Sequence, residues 1–156
     1  RLEGTHTVSF VMHSMGALVI RRLLAENRDW QTRLAVGRIV LIAPPNQGAE
    51  LARRLKSFTP YKILYGPAGQ QLIPGAVHRL AGLDGHEFAI IAGGRRSGSG
   101  FNLLLAGNDN GTVTVTETAL PGAQANHLVR GLHAGLANHP DTIQAALSFI
   151  THGTIS

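Results

Sequence analysis

The chain has no cysteine among its 156 residues. That excludes disulfides, a cysteine nucleophile and thiolate metal sites, and leaves the redox compartment open. Carboxylates are scarce, with nine Asp and Glu against fourteen Lys and Arg and a formal net charge of +5. Chemistry that needs an acidic side chain has few to draw on. The basic excess is scattered, the arginines standing alone or in the pairs Arg21-Arg22, Arg53-Arg54 and Arg95-Arg96. No basic run with interleaved aromatic residues marks a nucleic-acid surface. Long apolar runs are missing too, and none approaches the ~20 residues of a transmembrane helix. The opening residues Arg1-Leu2-Glu3-Gly4 lack the apolar stretch of a signal peptide. The expectation is therefore no nucleic-acid partner, no transmembrane segment and a soluble chain, the cytoplasm being favoured.

What is present suits a folded domain. Hydrophobic residues make up 44% of the chain, which argues against disorder. The length suits one domain, 1–156, with a real core. Thr7 to Met12 is short and rich in β-branched and aromatic residues, the pattern of a buried strand. Ala17 to Asn27 follows as a helix, with Ala17, Ile20 and Leu24 on one face and Arg21, Arg22 and Glu26 elsewhere. Arg38 to Ala43 is a second apolar strand, stopped by Pro44-Pro45. Ala49 to Lys56 suits a short helix, and the proline-rich stretch from Ser57 to Asp84 is irregular, as lids and binding loops often are. Glu87 to Ala92 and Asn126 to Arg130 read as further strands. Phe101 to Leu105 fits strand or helix, and Asn108-Asp109-Asn110-Gly111 is a turn. A last helix runs from about Pro140 to Thr151, with Ile143, Ala146, Leu147 and Ile150 as its apolar face. Continuous apolar strands between helices predict an α/β fold, a parallel sheet of about four main strands with helices on both faces.

The chemistry centres on Val8 to Gly16, VSFVMHSMG. A serine on a sharp strand-to-helix turn is lifted above the sheet, over the positive end of the helix that follows. The next backbone N–H, that of Met15, can face a developing oxyanion. A serine used only as a helix N-cap would give the same local pattern.

His13-Ser14-Met15-Gly16 resembles the Gly-x-Ser-x-Gly elbow of the α/β-hydrolase esterases and lipases, with Met12 in place of the first glycine. The similarity extends through Leu41-Ile42-Ala43-Pro44-Pro45-Asn46-Gln47-Gly48, the segment Thr112 to Pro121 and the final helix. It implies a partial α/β-hydrolase fold that begins at the nucleophile strand and lacks the N-terminal strands and helices of the family. It further implies a serine-dependent carboxylic ester hydrolase working through an acyl-enzyme on Ser14. The family order of serine, acid and histidine points to His133, in Gly131-Leu132-His133-Ala134-Gly135 between the last strand and the last helix. His127 falls inside a strand and His139 at a helix cap.

Three residues compete for the acid. In the family it often stands in an Asp-Gly-x-Val turn, and the strict match here puts Asn110 at that position. Asp109 fits through a one-residue shift and is preferred, because orienting the imidazole calls for a negative charge. Asp109 could equally do no more than close an Asx-turn; Glu117 is the fallback. Met15 and His13 are the candidate oxyanion and substrate-binding positions. No metal or organic cofactor is implied, and the partner is a small-molecule or lipid ester, with the Ser57 to Asp84 segment a candidate acyl-pocket lining. The family's second oxyanion donor comes from a segment ahead of the nucleophile strand, which here has only Arg1 to His6 before it. A fragment of a longer enzyme, a chain completed by another, and a minimal, dimeric hydrolase all fit this. So does a non-catalytic binding domain that kept the fold.

Overall fold

The computed structural model describes residues 6–26, 34–50, 80–95 and 99–156. Four strands, β1 (His6–His13), β2 (Leu34–Ile42), β3 (Phe88–Gly94) and β4 (Ala125–Arg130), form a parallel sheet in the order β1-β2-β3-β4. Two helices are described with them, α1 (Gly16–Ala25) and α2 (Pro140–His152). This is the α/β arrangement expected from the apolar runs.

Both faces of the sheet are covered, because the central strands are apolar throughout. Every residue of β3 is buried, as is the second half of β2, Ile39 to Ile42. Alternate residues supply two cores. Ile39, Leu41, Phe88 and Ile90 pack with Ala17 and Ile20 of α1. Val40, Ile42, Ala89, Ile91 and Val129 pack with Ala145, Ala146 and Phe149 of α2. This period-two division is what a strand pleat dictates. β1 lies at the edge of the described sheet, paired with β2 alone. Its residues alternate between half-buried and exposed, with Val11 52% exposed.

Several elements depart from the sequence reading. β2 begins at Leu34, four residues ahead of the expected Arg38. The register between β1 and β2 shifts between Val8 and Phe10, where the Ser9 hydroxyl accepts the Arg38 N–H at 3.2 Å. Phe101 to Leu105 forms turns and bends, neither strand nor helix. Val113 to Val115 leads into a short 3-10 turn at Thr116–Thr118.

Arg21, expected on the outer face of α1, is buried. Its guanidinium donates to the carbonyls of Leu80, Ala81 and Asn46 and to Asn46 Oδ1. Burial lowers its pKa. The side chain ties α1 to two loops; Arg22, beside it, makes an exposed pair with Glu26 at 2.6 Å.

α2 is rolled relative to the expected face. Its buried residues are Thr142, Ala145, Ala146 and Phe149, whereas Ile143 and Leu147 are 47% and 61% exposed. Phe149, fully buried against the sheet, sets that rotation. The helix is well terminated. His139 Nδ1 accepts the Asp141 N–H, Pro140 occupies the first turn, and Gly153 closes the C-terminus at φ 78°. Of the expected helix from Ala49 to Lys56, only Ala49 and Glu50 are described. Most of the Ser57 to Asp84 segment, with its suggested acyl-pocket role, lies outside the described residues.

Candidate active site

Ser14 stands at the junction between β1 and α1. Its backbone is in the left-handed region, φ 55°, a conformation that costs an L-residue roughly 1–2 kcal/mol. The strain is held from both sides. The Ser14 N–H donates to the Ile42 carbonyl at 2.8 Å, prolonging the β1–β2 ladder, and the Ser14 carbonyl accepts from Ala17 at 3.1 Å. Met15 then enters the helical region at φ −60°, ψ −22°, with Gly16 as the first residue of α1. The Met15 amide is thus among the N-terminal donors that an α-helix leaves without an intrahelical acceptor.

Met12 stands in place of the elbow's first glycine. It packs on the α1 side of the sheet. Its Cβ and Sδ stand 3.6 Å from where a Cβ on Gly16 would lie, an ordinary contact distance.

The structure brings Ser14 and His133 together. His133 opens a 3-10 turn, His133–Asn138, between β4 and α2. Its Nε2 is 2.9 Å from Ser14 Oγ, although 119 residues separate the two. Fully buried Leu136 anchors the turn in the α2-side core. The His133 N–H donates to the Asn110 carbonyl at 2.8 Å. The His133 carbonyl accepts from His13 Nε2 at 3.1 Å. The two imidazoles are tilted at 40° with their centroids 4.9 Å apart. His13, a candidate for substrate or oxyanion contact, therefore spends its Nε2 on fastening the His133 backbone.

Burial, and after it the neighbouring His13, lowers the His133 pKa from 6.5 to about 4. The imidazole is thus neutral at ordinary pH, as a general base must be. Its Nδ1, where an orienting acid would bond, is buried and has no hydrogen-bond partner among the described residues.

The expected Asp109–His133 bond is not made. Asp109 is fully buried, and its carboxylate is turned into its own loop. It accepts the N–H groups of Gly111 at 2.6 Å, Asn102 at 3.0 Å and Phe101 at 3.2 Å. The contact with Gly111, two residues on, is the Asx-turn weighed against the catalytic role. Glu117 is also engaged elsewhere, since it accepts from Glu50 N–H and from the amide and hydroxyl of Thr114. The residue beside His133 is Asn110, 1% exposed. Its Oδ1 accepts from Thr112 at 3.1 Å and Val113 at 2.9 Å, and its Nδ2 is buried without a partner. Gly93 makes room for it at the end of β3, where a Cβ would fall 2.9 Å from Asn110 Cβ and 2.9 Å from Leu136 Cδ2.

Of the competing histidines, His127 is in β4 and His139 caps α2. Among the described residues, no group of three metal-ligating side chains occurs and no helix is long and apolar enough to cross a membrane.

Comparison with known proteins agrees with this architecture. The fold is similar to that of the crystal structure of a Bacillus licheniformis lipase in its mature form, with a TM-score of 0.71 and 20% identity. The match covers 96% of this chain and 66% of the lipase, so the chain spans just under two thirds of that protein's length. No family model and no curated protein matches the sequence. The fold is a partial α/β-hydrolase fold, and at this identity the likeness speaks for the fold alone.

Proposed function

We propose that the chain is a serine-dependent carboxylic ester hydrolase that works through an acyl-enzyme on Ser14. The observation that carries this reading is the 2.9 Å approach of His133 Nε2 to a serine hydroxyl held at φ 55° on a strand-to-helix turn. Distant residues, a strained backbone and a hydrogen bond between nucleophile and base form the geometry that acyl transfer needs.

In the reaction, Ser14 Oγ attacks the ester carbonyl carbon and its proton passes to His133 Nε2. The Met15 N–H, at the start of α1, stabilises the oxyanion. His133 then returns the proton to the leaving alkoxide, and water repeats the sequence to release the acid. His13 acts on this reaction from behind, by holding the His133 main chain. A lipase neighbour fits an ester substrate.

The test is hydrolysis of short and long p-nitrophenyl esters by the chain and by Ser14→Ala. Turnover in the parent that disappears in the variant supports the reading, and the acyl-length profile separates esterase from lipase. A rate that is the same in both sinks it. The rival reading is a binding domain that has kept the fold without turnover. The His133 Nδ1 without a partner favours it, because among the described residues no acid supports the base. Ester binding without Ser14-dependent hydrolysis would select this rival.

A further inference from the structure

We propose that Asn110 is a positioning residue that holds His133 in the tautomer carrying its proton on Nε2, so that the dyad is restrained. The role in turnover rests on the hydrolase reading above; the tautomer itself does not.

The two residues lie side by side, joined by the hydrogen bond from the His133 N–H to the Asn110 carbonyl at 2.8 Å. Each buries one nitrogen that lacks a partner among the described residues, Asn110 Nδ2 and His133 Nδ1. The amide cannot turn over to offer its oxygen instead. Two backbone N–H groups, of Thr112 and Val113, point at Oδ1, and only an oxygen can accept them. Nδ2 is therefore fixed as a donor. A donor beside an imidazole nitrogen is satisfied only if that nitrogen is unprotonated, and a neutral imidazole with a bare Nδ1 has its proton on Nε2. Paired with each other, Nδ2 as donor and Nδ1 as acceptor, both atoms are satisfied. The carboxylates that could favour the other tautomer are engaged, Asp109 by Phe101, Asn102 and Gly111 and Glu117 by Glu50 and Thr114.

The consequence is chemical. In this tautomer Nε2–H donates to Ser14 Oγ across the 2.9 Å contact and cannot take the serine proton. Before Oγ can attack, the imidazole proton must leave Nε2 and reappear on Nδ1, which sets that proton against the Asn110 donor. The imidazolium formed on attack would then turn Nδ1–H toward the Nδ2 hydrogens, donor against donor. The chain should accordingly be a slow hydrolase. Asn110→Asp should release it, because a carboxylate accepts Nδ1–H and leaves Nε2 bare. It also keeps an oxygen for Thr112 and Val113. The converse change in a serine protease triad lowers kcat about 10⁴-fold through the wrong tautomer, so a rise of about 10³–10⁴-fold is expected here.

The experiment is long-range ¹H–¹⁵N correlation spectroscopy of the imidazoles in parent and Asn110→Asp protein, with p-nitrophenyl acetate turnover on the same samples. The mass of the peptide carrying residue 110 establishes that Asn110-Gly111 is intact. The expected result is Nε2–H at His133 in the parent and Nδ1–H in the variant, with the His133 pKa rising from about 4 toward neutrality and kcat rising as stated. Nδ1–H in the parent, or an unchanged tautomer in the variant, overturns the proposal. A tautomer switch with no ester turnover in either protein upholds the assignment of Asn110 and counts against the hydrolase reading instead.

Discussion

The elbow at Ser14 and the loop from Asn108 to Glu117 respond differently to the same kind of inference. At the elbow, motif and geometry coincide. A strand, a residue at φ 55° and a helix follow one another within His6 to Ala25. The loop has carboxylates at about the right places, but both face backbone amides. Asp109 organises three N–H groups, and Glu117 bridges Thr114 and Glu50. An elbow is defined by bonds between near neighbours, so a short stretch of sequence specifies it. The direction in which a carboxylate points depends on every donor around it, and those come from elsewhere in the chain.

That contrast can be broken or sharpened by substitution. The largest effect is expected at the elbow, where Ser14→Ala in the Asn110→Asp background should cost about 10⁶-fold in kcat, the loss seen for a serine protease nucleophile. Thermal unfolding should remain near that of the parent, because Ser14 carries strain rather than core contacts.

Asp109→Ala should act on stability. It leaves three partly buried N–H groups without their acceptor, at the low end of about 1–3 kcal/mol each, so about 3 kcal/mol of loss is expected in a urea titration. If Asp109→Ala instead leaves stability unchanged and removes turnover, Asp109 is an acid after all.

The next effect is a pH dependence. The His133 pKa is lowered from 6.5 to about 4, so the folded chain binds the proton less readily than the unfolded one. The stabilisation from a neutral His133 is full above pH 6.5 and is lost as pH falls through about 4. After discounting for the partial exposure of the ring, about 1–2 kcal/mol is expected. Urea titrations across this window should show a shallower acid-side decline in His133→Ala than in the parent. Equal declines would place the acid sensitivity elsewhere.

Glu117→Gln should have the smallest effect. One oxygen remains for Thr114, and a neutral amide replaces a charged acceptor, so about 1 kcal/mol of stability is expected to be lost. Ester turnover per folded molecule should not change, and a loss in kcat comparable to that of Ser14→Ala would restore Glu117 as the orienting acid.

The same distinction between local and distant causes explains what was legible in the sequence. The four strands and their shared sheet follow from apolar runs such as Ile39 to Ile42, which only a covered parallel sheet accommodates. His133 could be found through the family resemblance, whose order of serine, acid and histidine puts the histidine in the loop before the last helix. Arg21 was misplaced because its partners, the carbonyls at Leu80, Ala81 and Asn46, are 25 to 60 residues away. The face of α2 was misread for a related reason. Ile143 and Leu147 make as good an apolar stripe as Ala145 and Phe149, and only the shape of the sheet selects the second. The position of Asn110 was visible in the turn pattern. That its oxygen is held by Thr112 and Val113, leaving a nitrogen beside His133, required the folded loop.

The central claim, a nucleophilic Ser14 activated by His133, is tested most directly by the mass of the protein after treatment with a fluorophosphonate ester. A single phosphonyl adduct on Ser14 is expected, formed faster in Asn110→Asp than in the parent and absent from Ser14→Ala and His133→Ala. A Ser14 that stays unmodified in both parent and Asn110→Asp, or an adduct that persists in Ser14→Ala, would contradict it.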